Sequence, residues 1–326
     1  MRFPVLSASF ILLFSSFSAD AERYTEHPKY EPFIQEMVSE HDYNEQDLRA
    51  ILSQAEKKQG ILDAISRPAE RTKAWYEYRE IFLKPNRINL GVKFLQDHKE
   101  TFDKVEVQYG VPRELIAAII GVETYYGRIT GSYRVIDALS TLAFDYPKRS
   151  LFYRELKNFL LMVRENDLEA TELMGSYAGA MGLGQFIPSS YISYARDYDG
   201  DGKKDIWNNV DDAIASVAYY FKRYHWQTGE PIASEVTLNN SEADKYANET
   251  LSLGGDFDVW KQRGVNVPKD VSSREAALFR YETENGQQYW LAYKNFYVIT
   301  RYNRSRLYAR AVYELSQEIK NAYGKS

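Results

Sequence analysis

The chain has 326 residues, of which 44% are hydrophobic and 27% charged, with a net charge of −5 and no cysteine. This is the balance of a well-cored globular protein, long enough for two or three domains of about 100–200 residues each. The missing cysteine excludes thiol catalysis and cysteine-ligated zinc, and the acidic chain without a polybasic tract excludes an electrostatic nucleic-acid surface.

Residues 1–21 read as a secretory leader: a basic Arg2, an apolar run around Phe10–Phe14 and the small-x-small sequence Ala19-Asp20-Ala21. The run is too short to span a bilayer comfortably. A buried N-terminal helix is the competing reading. Cleavage after Ala21 starts the mature chain at Glu22. With no cysteine to carry a lipid, this predicts a soluble periplasmic protein without a lipid anchor.

From 22 to 108 the chain reads as a charged helical region, with apolar residues at helical spacing over DLRAILSQAEKKQGILDAI (47–65) and punctuation at Pro68 and Pro85. Residues 109–230 hold most of the motifs. Between 231 and 303 the pattern shifts to short apolar runs broken by Gly254, Gly255, Gly264, Pro268 and Gly286, which predicts a small β domain. Glu284-Asn285-Gly286 reads as a hairpin turn, and FYVITRY (296–302) has strand-like composition. An amphipathic helix over 304–326 closes the chain. The fold class is α+β, mainly α.

Three motifs carry chemistry. In the first, Pro112 suits the first turn of a helix, and Leu115, Ile116, Ile119 and Ile120 form an apolar stripe. Glu123 lies at the end of that stripe, before TYYGR. Apolar surroundings raise a carboxyl pKa and keep a proton available for a leaving group. Gly127 can stop the helix and let a ligand approach. A structural, backbone-bonded glutamate is the alternative. In the second, GAMGLGQF (179–186) lacks the Lys-Ser or Lys-Thr of a phosphate loop. Ser176 and Gln185 offer neutral hydrogen bonds suited to sugar hydroxyls and N-acetyl amides, although a tight structural turn would use the same glycines. In the third, Asp197, Asp199, Asp201 and Asp205 stand at positions 1, 3, 5 and 9 of an EF-hand-like loop (197–211), with Gly202 at position 6 and the Lys203 carbonyl at position 7. Asn208 at position 12 cannot supply a bidentate carboxylate, and Asp211 is the expected substitute. A structural Ca2+ is predicted, and no organic cofactor. A solvated acidic turn is the alternative.

In this order, WYEYRE, GVPRELIAAIIGVETYYGR, DALSTLAFDYP, GSYAGAMGLGQFIPSSY, the DGDG loop and FYVITRYNRS resemble the soluble lytic transglycosylases of the membrane-bound lytic transglycosylase B family. The resemblance covers most of the chain after the leader. It implies a lysozyme-like helical core domain flanked by a helical domain and a small β domain. It also implies cleavage of the β-1,4 bond between N-acetylmuramic acid and N-acetylglucosamine in peptidoglycan glycan strands, with a 1,6-anhydromuramyl product. Glu123 matches the single catalytic acid/base, and Ser176 and Gln185 match groove residues. Tyr78, Tyr220, Tyr302, Asn303 and Tyr308 match groove positions; on DAIASVAYYFKRY only one of Tyr219 and Tyr220 is expected to reach the groove. Asp137 and Asp145 read as cap or turn residues, not as a second catalytic carboxylate. A monomer is expected. The competing readings are a hydrolytic muramidase and a non-catalytic peptidoglycan-binding protein.

Overall fold

The computed structural model describes residues 23–66, 73–146, 150–271 and 275–325. The leader and Pro68 lie outside them. The chain begins with helices α1 (Tyr30–His41), α2 (Glu45–Leu52) and α3 (Gln59–Ile65), then α4 (Trp75–Phe82), α5 (Pro85–Asp97) and α6 (Lys99–Tyr109). Local sequence sets several boundaries. Asn44 caps α2 by accepting from the Asp47 amide, and Pro85 opens α5, where its missing N–H has no intrahelical role.

The stretch 47–65 is two helices rather than one. The Glu56 amide donates to Asp137 and the Lys58 amide to Thr141 Oγ1, while Arg134 donates to the Gln54 carbonyl. These tertiary hydrogen bonds pull residues 53–58 out of the helical path and override the apolar spacing.

Helix α7 (Arg113–Thr124) is the axis of the molecule. Residues Leu115 to Gly121 are all buried, and the helix packs against α5, α6, α11 (Val210–Arg223) and α14 (Arg306–Tyr323). Between α7 and α11 lie a two-stranded ribbon, β1 (Tyr133–Arg134) with β2 (Met174–Gly175), and helices α8 (Val135–Asp145), α9 (Ser150–Glu165) and α10 (Pro188–Tyr194). One apolar core runs from Tyr24 to Ile319.

A second, smaller core around Trp260, Leu278, Leu291 and Tyr293 belongs to an antiparallel sheet of order β3–β6–β5–β4. Its strands are β3 (Ala233–Val236), β4 (Gly255–Asp256), β5 (Glu275–Thr283) and β6 (Gly286–Ala292), with α12 (Phe257–Gln262) beside them. β5 and β6 form the expected hairpin, with Thr283 paired to Gly286 across Glu284-Asn285.

Residues 294–302 form a helix, α13 (Lys294–Tyr302), where strand-like composition pointed to a strand. Buried Asn295, Phe296, Ile299 and Thr300 recur at helical spacing, so packing overrides the β-branched and aromatic content.

The end of α7 also differs from expectation. The helix stops at Tyr125, whose φ of 53° is left-handed, and Tyr126 follows at φ 60°, ahead of Gly127 at 81°. Two consecutive non-glycine residues in this region persist only where packing over-determines them. The over-determination here is Tyr126. Its hydroxyl donates to the Arg87 carbonyl at 2.9 Å, and its ring enters a notch made by two glycines on facing helices. A Cβ on Gly91 of α5 would meet the Tyr126 hydroxyl at 2.5 Å, and one on Gly121 of α7 would meet the ring at 2.6 Å.

Gly121→Ala therefore forces the peg out of its notch. Overpacking of this kind costs about 1–3 kcal/mol, and urea denaturation should show a loss of that size. A variant as stable as the parent would mean that Tyr126 does not fix the end of α7.

Candidate active site

Glu123 lies in the last turn of α7 and is half-buried. The side chain that meets it comes from far along the chain. Ser305 caps α14 by accepting from the Tyr308 amide, and the Tyr308 hydroxyl donates to Glu123 Oε1 at 2.6 Å. Burial first, and then the charge of Glu123, push the hydroxyls of Tyr308 and Tyr302 well above the ordinary tyrosine range. Both keep their protons at neutral pH and act as donors.

The glycine-rich loop is tied to the same helix end. The Thr124 hydroxyl donates to the Leu183 carbonyl at 2.9 Å, and its oxygen accepts from the Gly127 amide at 3.0 Å. The Tyr302 hydroxyl donates to the Gly184 carbonyl at 2.5 Å. Gln185 donates from Nε2 to the carbonyls of Thr130 and Gly182, at 3.0 and 3.1 Å. Ser176 Oγ accepts from the amides of Ala180 and Ala178, at 3.1 and 3.3 Å, and so shapes the loop's entry.

Beyond Gln185 opens a cleft of about 450 Å3, lined among others by Ser189, Tyr194, Tyr220, Tyr224, Arg301 and Tyr302. Tyr220 donates to the Arg301 carbonyl at 2.6 Å, and its ring lies 4.5 Å from Tyr224, 4.7 Å from Tyr302 and 4.8 Å from Tyr194. Of the two adjacent tyrosines, Tyr220 faces this cleft. Tyr219 instead lies under the Arg196 guanidinium, 3.8 Å away. Tyr78 is buried beside Trp75 and Phe82, near Tyr308. Asn303 is exposed where α13 passes to α14. Asp137 and Asp145 are engaged elsewhere: Asp137 binds Arg134 and the Glu56 amide, and Asp145 accepts from the Tyr24 hydroxyl.

In the acidic loop, Asp197, Asp199 and Asp212 bring carboxylate oxygens within 4.8 Å of one another. Gly200 and Gly202, at φ 79° and 90°, turn the chain back so that their amides donate to Asp197. Asp211, the expected closing ligand, points away: it accepts from Thr101 Oγ1 on α6 at 2.6 Å. Both residues lie in the first turn of α11, whose rotation turns Asp212 inward. There it is fully buried and accepts from the amides of Tyr198 and Asp205. Burial, opposed by those amides and reinforced by the charges of Asp199 and Asp197, raises its carboxyl pKa. Asp201 accepts from the Lys203 amide, and Asp205 from the amides of Trp207 and Asn208.

Residues 25–317 match the family model of the transglycosylase SLT domain. The chain belongs to this family. It is 39% identical over 311 residues to membrane-bound lytic murein transglycosylase B of Escherichia coli (strain K12), covering 91% of the chain and 84% of that protein. The crystal structure of soluble lytic transglycosylase SltB1 from Pseudomonas aeruginosa superposes with a TM-score of 0.88 at 47% identity, covering 91% of this chain and all of that one. The Escherichia coli lytic transglycosylase Slt35, solved in complex with calcium, matches with a TM-score of 0.85 at 38% identity over 93% of this chain and 96% of its own. This transglycosylase is therefore a lytic enzyme of peptidoglycan, with the lysozyme-like fold of its relatives.

Sequence reasoning missed several residues of the site. Tyr224 was accessible from its i,i+4 spacing to Tyr220. Asp212 and Arg301 carried no signal of their own: one sits next to a more obvious aspartate, and the other is hidden in a segment read as a strand.

Proposed function

We propose that this transglycosylase cleaves the β-1,4 bond between N-acetylmuramic acid and N-acetylglucosamine with Glu123 as its one acid and base, leaving a 1,6-anhydromuramyl end. The observation that carries the reading is the 2.6 Å hydrogen bond from a buried tyrosine to a half-buried glutamate at the tip of an apolar helix. Protonated Glu123 gives its proton to the glycosidic oxygen as the C1–O bond breaks. The substrate's N-acetyl oxygen stabilises the positive centre at C1. The Glu123 carboxylate then accepts the proton of the C6 hydroxyl, and O6 closes onto C1. One group serves twice, in line with microscopic reversibility, and no second carboxylate or water is required.

Tyr308 donates a hydrogen bond that is strongest to the carboxylate formed at mid-reaction, and it fixes which oxygen faces the sugar. Ser176 and Gln185 line the saccharide path. Tyr220, Tyr302 and Tyr78 hold its walls, and Asn303 stands at its edge.

The acidic loop suits a structural Ca2+. Asp197, Asp199 and Asp212 supply converging hard oxygens, with Asp201, the Lys203 carbonyl and Asp205 in the same loop. The calcium complex of Slt35 supports this reading. The ion would neutralise the carboxylates and hold the start of α11. Residues 1–21 act as a cleaved leader that delivers the enzyme to the periplasm; among the described residues, no helix is long and apolar enough to cross a membrane.

Glu123→Gln keeps the shape but removes the proton. Turnover of purified sacculi should fall by at least about 10²–10⁴-fold with melting unchanged, and mass spectrometry of the wild-type products should show anhydro ends. Reducing muramic acid ends would make the enzyme a hydrolase. Tyr308→Phe removes a hydrogen bond to a charged group, worth about 1.5–3 kcal/mol. kcat should therefore drop roughly 10–100-fold, with melting again near wild type.

Calcium at a hundredfold excess over Kd should add about 2.7 kcal/mol of stability, read as a rise in melting temperature that chelation reverses. Asp212→Asn should abolish that response and Asp211→Asn should spare it; the opposite pattern would restore Asp211 as the ligand. Export is checked by Edman sequencing of the mature protein, which should begin at Glu22. An intact Met1 would exclude a cleaved leader.

A further inference from the structure

Outside the catalytic cleft, α4, α14 and the tip of the β5–β6 hairpin enclose a cavity of about 560 Å3. At its base lies Arg310, whose side chain is 4% exposed. The guanidinium is enclosed by three aromatic rings, with centroids 4.3 Å away for Trp75, 4.4 Å for Trp290 and 4.5 Å for Tyr281. Glu314 accepts from its Nε at 2.6 Å, and Gln288 from Nη2 at 2.7 Å. Two buried donors, Arg310 Nη1 and Trp290 Nε1, have no acceptor among the described residues. Buried donors of this kind call for an explanation, and a ligand or ion is one of the few available. The exposed rim carries both signs of charge: Arg79 from α4, Glu235 from β3 and Glu284 from the hairpin tip.

We propose that this cavity is a second, non-catalytic binding site, and that it takes the amino-acid stem borne by peptidoglycan strands. The inference rests on the peptidoglycan reading of the catalytic cleft. Its chemistry is distinct from that of a sugar site. Trp75 is almost fully buried, and Arg310 already lies over one face of each indole, that of Trp75 and that of Trp290. A rim with two carboxylates and a guanidinium offers charges that a neutral glycan cannot match with charges of its own. It complements a short peptide that carries carboxylates and a free ammonium group, and the two unpartnered donors suit a peptide carbonyl or carboxylate.

Placement favours the same occupant. Tyr78, on α4 one turn after Trp75, lies near Tyr308, and Tyr308 lies two residues before Arg310 on α14. Helix α4 thus carries Trp75, Tyr76 and Arg79 to the cavity and Tyr78 toward Tyr308, while α14 carries Tyr308 to Glu123 and Arg310 and Glu314 to the cavity. A turn of helix advances about 5 Å, and an extended stem of three residues spans about 10 Å. The stem of a sugar held at Glu123 would run round this stretch of α14, from which Tyr308 and Arg310 project on different faces.

The test titrates the full enzyme with a synthetic stem tripeptide ending in a diamino acid and follows the Trp290 indole N–H resonance, assigned with Trp290→Phe. Saturable movement of that resonance is expected. The exposed pair Glu235→Gln with Glu284→Gln should weaken binding by about fivefold, and Arg79→Gln should weaken it by a similar factor. With peptide-bearing strands, KM should rise by the same factor in these variants, while turnover of amidase-stripped strands stays unchanged. No saturable movement, equal affinity in all variants, or equal displacement by the bare disaccharide would overturn the proposal. If the wild type cleaves neither kind of strand, the catalytic reading fails, while the titration still decides the cavity.

Discussion

A helix that is apolar on nearly every face can carry a polar group only at its end, and only if that end cannot drift. For α7 this is the governing constraint. Its body from Leu115 to Gly121 is buried, and Glu123 follows within the last turn. Three attachments hold the terminus. Thr124 bonds to the glycine-rich loop, Tyr126 enters the notch of Gly91 and Gly121, and consecutive left-handed residues turn the chain away. Fraying of a single turn would move the carboxylate by several ångströms, out of reach of the Tyr308 hydroxyl. The strain at Tyr125 and Tyr126 is thus the local cost of a fixed carboxylate.

The acidic loop and the cleft are joined by one element. α11 begins with buried Asp212 beside Asp197 and Asp199, and two turns later presents Tyr220 to the cleft. A cation bound at the start of the helix would set the height of Tyr220 against Tyr302 and Arg301. A loop far from the reacting bond can in this way shape the groove without taking part in chemistry.

Much of this was legible in the sequence because it depends on local pattern. The stripe before Glu123, the glycine-rich loop, the alternating aspartates and the Glu284-Asn285 turn are all short-range signals; the stripe is buried and the hairpin forms, while of the alternating aspartates only Asp197 and Asp199 converge. What stayed hidden depends on distant partners. Residues 296–302 have the composition of a strand, but their buried face has helical spacing that only the facing core reveals. The break at 53–58 is made by Asp137 and Thr141, some eighty residues away. Asp211 and Asp212 are chemically identical neighbours, and only the rotation of α11 turns one to Thr101 and the other to the loop.

Tyr308 stands 185 residues after the carboxylate it serves. Synthesis runs from N- to C-terminus, so the helix, the glycine-rich loop and the aspartates all emerge before the segment that supplies this contact. A chain halted before α14 would hold Glu123 but not its hydroxyl partner, and would lack the helix that α5 and α7 pack against. Glu123 thus meets its hydroxyl partner only once α14 has been made.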